Sequence, residues 1–269
     1  MANNNEFRVG GFKILPPVIK NLLIINGLFF LATYAFATDM LGNINLNDIF
    51  GLHYITASKF HLYQFVTYMF MHGSIAHIFF NMFALWMFGS AIENVWGMKR
   101  FLLYYFVTGI GAAVIQEIVC AIQLYDLVSQ MNPAMIALVK EEGFGLLQQG
   151  KNYIDPLMGT YNSVLNSTTV GASGSVYGLL LAFGMMFPNS LVYIYFLIPM
   201  KAKWFVIIFG ALELFSGIAS SIGTQTSEIA HFAHLGGMIF GFFLILHWKK
   251  QSKRKAKQMQ QQYYFHSTS

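Results

Sequence analysis

Val170-Gly171-Ala172-Ser173-Gly174-Ser175-Val176-Tyr177-Gly178-Leu179-Leu180-Leu181-Ala182-Phe183-Gly184-Met185-Met186-Phe187 carries no charge over eighteen residues. That length falls within the roughly 17–25 apolar residues a helix needs to cross the hydrocarbon core of a bilayer. In lipid every backbone N–H and C=O has to be satisfied within the segment, so the stretch is expected to be helical. Its first turn holds Ser173. A second apolar stretch opens the same way, with Ala233-His234-Leu235-Gly236-Gly237. Polar side chains at such depth cost free energy unless they face protein or a water-filled cavity, which makes both residues functional candidates. A serine and a histidine together are the nucleophile and base of acyl transfer.

Working outward, apolar segments recur at about 18–38, 75–92, 101–124, 170–187, 204–222 and 229–247. The chain is 56% hydrophobic and 10% charged, with mean hydropathy +0.53. Soluble domains carry about 25% charged residues, so the deficit points to lipid as solvent. The fold expected is all-α, a polytopic membrane protein built as a bundle of six transmembrane helices. Leu191 to Met200 is too short to cross and carries Pro199, and reads as an interfacial return. The lone Cys120 excludes an intrachain disulfide. The aromatic stretch Phe60 to Phe70 reads as an interface belt.

Charge sets the orientation. With the N-terminus in the cytoplasm, six spans place 13 of the 16 Lys and Arg on the inner side and only Lys59, Lys140 and Lys151 outside. That asymmetry follows the positive-inside rule. It divides the chain into a cytoplasmic segment 1–17, a membrane domain 18–248 and a basic cytoplasmic tail 249–269. The cluster Lys249, Lys250, Lys253, Arg254, Lys255 and Lys257 then reads as a topology determinant and anionic-lipid contact, and not as a nucleic-acid site. The tail is expected to be a helix end followed by a frayed terminus. In the outer segment 125–169, Pro133 to Gln148 is helix-compatible. With no organelle-targeting segment evident, a bacterial inner membrane is the simplest home.

The same topology puts polar groups of three spans at one depth. Ser173 and His234 each begin a span that enters from outside, as do His77 and Asn81, an i,i+4 pair on one helix face. A serine hydroxyl needs a neighbouring imidazole to take its proton. The oxyanion that follows needs preorganised donors, for which His77, Asn81 and the Ser173 N–H are candidates. Gly174 with Gly178, and Gly237 with Gly241, are small-xxx-small pairs that let helix backbones approach closely. Tyr177, one turn below Ser173, is placed to pack against the imidazole.

These residues resemble the rhomboid intramembrane serine proteases. The matching text is His72-Gly73-Ser74-Ile75-Ala76-His77 with Asn81, then Phe88-Gly89 and Glu93, then Gly171-Ala172-Ser173-Gly174 with Tyr177, then Ala233-His234 with Gly237 and Gly241. The resemblance implies Ser173 as nucleophile, His234 as base and His77 and Asn81 as oxyanion-hole groups. It implies a rhomboid-like bundle cutting transmembrane protein substrates within the lipid bilayer, with no cofactor, no metal and no ATP. The family often carries Trp-Arg in its first outer loop, where this chain has Tyr63-Gln64. The family's Ser–His dyad requires no acidic residue, and none is obvious here.

Plainer readings exist for each residue. A serine among glycines is commonly a packing residue, and Asn81 is able simply to bridge helices. His72 and His231 are expected to hydrogen-bond structurally, Glu93 to hold backbone N–H groups, and Glu117 and Glu213 to pair locally. Two other functions compete: a proteolytically inactive rhomboid-like membrane chaperone or scaffold, and a small transporter or channel. Transporters tend to show repeated halves around a midplane site, and no repeat is evident. Nothing in the sequence sets an oligomeric state.

Overall fold

The computed structural model describes residues 11–37, 44–194, 197–222 and 231–267. Five helices are long and apolar enough to cross a membrane: α1 (Pro17–Ala37), α4 (Ile75–Trp96), α5 (Met98–Val128), α9 (Ala202–Ile222) and α10 (His231–Ser267). A sixth apolar helix, α8 (Ser173–Met186), is shorter. Together they occupy the six expected segments. Shorter elements fill the connections after α1 and α5: α2 (Leu46–Phe50), β1 (Leu52–His53), α3 (Gln64–Thr67), a 3-10 turn at Tyr68–Phe70, α6 (Pro133–Gln148), α7 (Pro156–Asn166) and β2 (Thr168–Thr169). Leu191 to Met200 belongs to an antiparallel hairpin of β3 (Leu191–Ile194) and β4 (Ile198–Lys201). It returns the chain from α8 to α9, and Val192 is buried between the exposed Leu191 and Tyr193.

Boundary chemistry explains where the helices start. Ser74 sits in extended backbone, and its hydroxyl accepts the His77 N–H at 3.1 Å, capping α4. Glu93, near the other end of α4, accepts from the N–H groups of Val18 and Ile19 at 3.0 and 2.9 Å. A carboxylate at a helix N-terminus complements its dipole, so Glu93 ties α1 to α4. Asn132 and Asp155 cap α6 and α7, each followed by a proline that occupies N1.

α8 is the centre of the bundle, packed against α4, α5, α9 and α10. Its helix pairs are close because there are no side chains between them. A Cβ at Gly237 would collide with the Gly174 carbonyl, and one at Gly174 with Ala112. Hydroxyls lock the same contacts: Tyr104 donates to the Gly178 carbonyl at 2.8 Å, and Ser175 to the Tyr105 carbonyl at 2.7 Å.

Three expectations need correction. The stretch Phe60 to Phe70 is more than an interface belt, because Gln64, Tyr68 and Met69 are buried. Gln64 organises the loop: its Oε1 accepts from His53 and His61 N–H, and its Nε2 donates to the Ile49 and Lys59 carbonyls. Glu117 does not pair locally but accepts the Ile55 N–H at 2.9 Å, 62 residues away. The basic tail is not a helix end followed by a frayed terminus, since α10 runs on through it to Ser267. Its 37 residues make about 55 Å at 1.5 Å per residue, well past a hydrocarbon core of roughly 30 Å. Of the segment 1–17, residues 1–10, with Arg8, lie outside the described residues.

Candidate active site

Ser173 and His234 meet where α8 and α10 cross. The His234 Nε2 lies 2.8 Å from the Ser173 Oγ. The crossing is made by Gly174 and Gly237, one residue after the serine and three after the histidine, so backbone proximity sets the side-chain distance. Tyr177 lies flat on the imidazole, with ring centroids 4.3 Å apart and planes 7° from parallel. The neighbouring Ser175 faces away, its hydroxyl used on α5.

On the other side of His234 stands Glu213, in the middle of α9. Its Oε2 is 3.1 Å from His234 Nδ1 and 2.6 Å from His231 Nδ1. Its Oε1 accepts the Tyr177 hydroxyl. The expectations that no acidic residue stands beside the pair and that Glu213 pairs locally are therefore both corrected. Three donors from two other helices surround it, which is how an intramembrane carboxylate is made tolerable. It is also the group that reading the sequence passed over. The signal was present, since Glu213 is the sole charged residue between Trp204 and Ile222.

Gly171 shapes the space in front of the serine. Its φ of 129° is a conformation that L side chains rarely adopt, and its N–H bonds to the Tyr68 carbonyl at 2.9 Å. A Cβ there would stand 2.7 Å from His77 Nε2 and 3.5 Å from Ser173 Oγ. Those two atoms thus border one small space that only a glycine leaves open. Asn81 is buried one turn deeper on α4, and its side-chain N–H donates to the His77 carbonyl at 2.9 Å. The structure shows no bond from Asn81 to Ser173. The turn is tied down from outside, because β2, just before it, pairs with β1 through Leu52 opposite Thr169 and His53 opposite Thr168.

His72 stacks edge-on against His77, ring centroids 5.1 Å apart. Burial pushes its pKa down to about 4, with His77 beside it acting in the same direction. A neutral imidazole is thus held next to the candidate oxyanion space.

Glu213, His231 and His234 offer ligand atoms within 4.8 Å of one another. Tetrahedral zinc, with bonds of about 2.0–2.1 Å, keeps its ligand atoms roughly 3.3 Å apart. The 2.6 Å between His231 Nδ1 and Glu213 Oε2 is a hydrogen bond, closer than two ligands of one zinc ion would stand.

A family model described as Rhomboid domain matches residues 59–127 and 143–250, more than half of the chain. The gap between the blocks, residues 128–142, covers the turn after α5 and the larger part of α6. The chain is 26% identical over 220 residues to RHOMBOID-like protein 12, mitochondrial, of Arabidopsis thaliana, covering 82% of this chain and 55% of that protein. It is 26% identical over 187 residues to Rhomboid-like protein 11, chloroplastic, of the same plant, covering 68% and 51%. It is 40% identical over 52 residues to Rhomboid protease GluP of Bacillus subtilis (strain 168), covering 19% and 10%. In each case the chain spans less than two thirds of the relative's own length. Relatives named as mitochondrial and chloroplastic stand beside a bacterial one, so the expected bacterial inner membrane draws no support from them.

Proposed function

The chain belongs to the rhomboid family, and from that membership together with the Ser173–His234 contact we propose that it is an intramembrane serine endopeptidase. The observation that carries this is the 2.8 Å separation of Ser173 Oγ and His234 Nε2 at the crossing of α8 and α10. His234 takes the hydroxyl proton as Oγ attacks the scissile carbonyl carbon. The carbonyl's π pair moves to oxygen, and the Ser173 N–H, His77 and Asn81 receive the oxyanion. Collapse breaks the C–N bond, and the proton on Nε2 leaves with the amine. Water then attacks the acyl-enzyme, its proton going to Nε2 and from there back to Ser173 Oγ as the acid departs. Asn81 Nδ2 carries two N–H groups, one bonded to the His77 carbonyl and the second open to the oxyanion.

Substrates are transmembrane segments of other membrane proteins. The 13-to-3 charge split supports N- and C-terminal segments 1–17 and 249–269 on the cytoplasmic side of a membrane domain 18–248. The dyad then faces the outer leaflet, where water for deacylation enters. An inactive relative acting as a chaperone or scaffold would keep the fold without the reaction. Labelling of the detergent-solubilised protein by a fluorophosphonate, with the adduct mapped by mass spectrometry, tests the reading. We expect an adduct on Ser173 that disappears in His234→Ala. No adduct on a folded wild-type protein would leave only the non-proteolytic reading.

A further inference from the structure

We propose that Glu213 completes a Ser173–His234–Glu213 relay, as a positioning residue that holds the proton on His234 Nδ1 and so keeps Nε2 free to accept the Ser173 proton. The inference rests on the protease reading above and deepens it. His234 Nδ1 is buried and has no hydrogen-bond partner of good alignment among the described residues. Glu213 Oε2 stands 3.1 Å from it. Bonds of this kind are often long or out of line in a resting enzyme and tighten when the transition state forms.

The chemistry gives the carboxylate two tasks. An imidazole has two tautomers, and only the one with hydrogen on Nδ1 presents a lone pair at Nε2. An acceptor beside Nδ1 selects that tautomer. Once Nε2 has taken the serine proton, the ring is an imidazolium inside a low-dielectric bundle, and an adjacent carboxylate stabilises that charge. The carboxylate itself takes no proton. Its other bonds keep it in place: His231 Nδ1 donates to the same Oε2, and the Tyr177 hydroxyl donates to Oε1. Tyr177 therefore braces both members, stacking on one and bonding the other. Among the described residues, the titratable groups facing Glu213 are these three, His231 and His234 from α10 and Tyr177 from α8.

The test uses full-length protein in liposomes with a single-span substrate. Glu213→Gln, which keeps the shape and removes the charge, is expected to lower kcat by up to about 10⁴-fold with KM nearly unchanged, the loss seen when a triad aspartate is neutralised. Glu213→Asp should recover part of the loss. Glu117→Gln, which alters a carboxylate bonded to the Ile55 N–H, should keep wild-type kcat. A Glu213→Gln enzyme of full kcat, beside a dead Ser173→Ala, would overturn the relay and leave the protease reading standing. An active Ser173→Ala would overturn both. Should Glu213→Gln not fold, nitrogen-15 NMR of histidine-labelled wild type decides. A protonated Nδ1 and a bare Nε2 on His234 support the relay; the opposite tautomer contradicts it.

Discussion

Tyr177 and His234 are held as a parallel pair, 4.3 Å between ring centroids, although they lie on different helices. The pairing limits rotation of the imidazole about its χ2, and so fixes the direction in which Nε2 points. Phenylalanine at 177 keeps the ring and loses the hydroxyl bond to Glu213. Tyr177→Phe should cost about 1.5–3 kcal/mol of stability, as for hydrogen bonds to charged groups, and keep most of its activity. Tyr177→Ala should lose on the order of 10² in kcat, since a misplacement of about 1 Å at a reacting group has that effect. Unfolding midpoints and kcat measured on both variants check this; equal activity of Ala and wild type would contradict a positioning role for the ring.

His77 and Asn81 are expected to contribute in degree. Loss of one oxyanion donor costs about 2.7–4 kcal/mol, or on the order of 10²–10³ in kcat. Each single alanine variant should be slowed and not dead, with substrate binding little changed. The Asn81 amide bonds its own helix in the resting structure, so Asn81→Ala should also leave the thermal midpoint nearly unchanged. A variant with full kcat would assign that residue to helix packing alone.

Gly237 tests whether the α8–α10 crossing sets the site. A methyl there meets the Gly174 carbonyl, whereas a Cβ at Gly145 meets nothing within 4 Å. Gly237→Ala should destabilise by about 1–3 kcal/mol, the usual cost of overpacking, and reduce cleavage by moving His234 from Ser173. Gly145→Ala, inside α6, should be neutral or raise stability by up to about 1 kcal/mol. Thermal melts in detergent of the two variants decide the point, and equal effects would contradict it.

His72 makes the stability of the protein pH-dependent. Its folded pKa is pushed down to about 4 from the ordinary 6.5. Above about pH 6.5 it is neutral in both states and contributes nothing. As pH falls from there towards 4, the unfolded chain binds a proton that the folded one does not, and up to about 3 kcal/mol of stability is lost. Between pH 7 and pH 5 the wild-type melting temperature should therefore fall further than that of His72→Gln. Equal falls would show that the buried imidazole is not held neutral.

Much of the bundle was legible because its signals are lengths. Apolar runs mark α1, α4, α5, α9 and α10 directly, and the helix-compatible stretch Pro133 to Gln148 is α6, whereas α7 has no such reading. Charge counting brought Ser173, His234, His77 and Asn81 to one depth, and helical spacing put Tyr177 beneath the serine. Depth and face were the limit. Glu213 sits halfway along α9, and whether it meets His234 depends on how far α10 descends beside it, which no periodicity states. The same applies to Gln64, which lies in the stretch read as an interface belt and is buried because four backbone groups converge on its amide. Partners distant in sequence, such as Ile55 for Glu117, are invisible to local pattern.

The central claim is tested most directly by cleavage in a defined membrane. Purified wild type, Ser173→Ala and Ser175→Ala are reconstituted with a single-span substrate of known orientation, and the cut is mapped by mass spectrometry. We predict cleavage by wild type and by Ser175→Ala, whose hydroxyl bonds the Tyr105 carbonyl, and none by a folded Ser173→Ala. The cut should lie near the outer end of the substrate helix, where small or helix-weakening residues expose a carbonyl to attack. Retained cleavage in Ser173→Ala, or a scissile bond at the cytoplasmic end, would contradict the account.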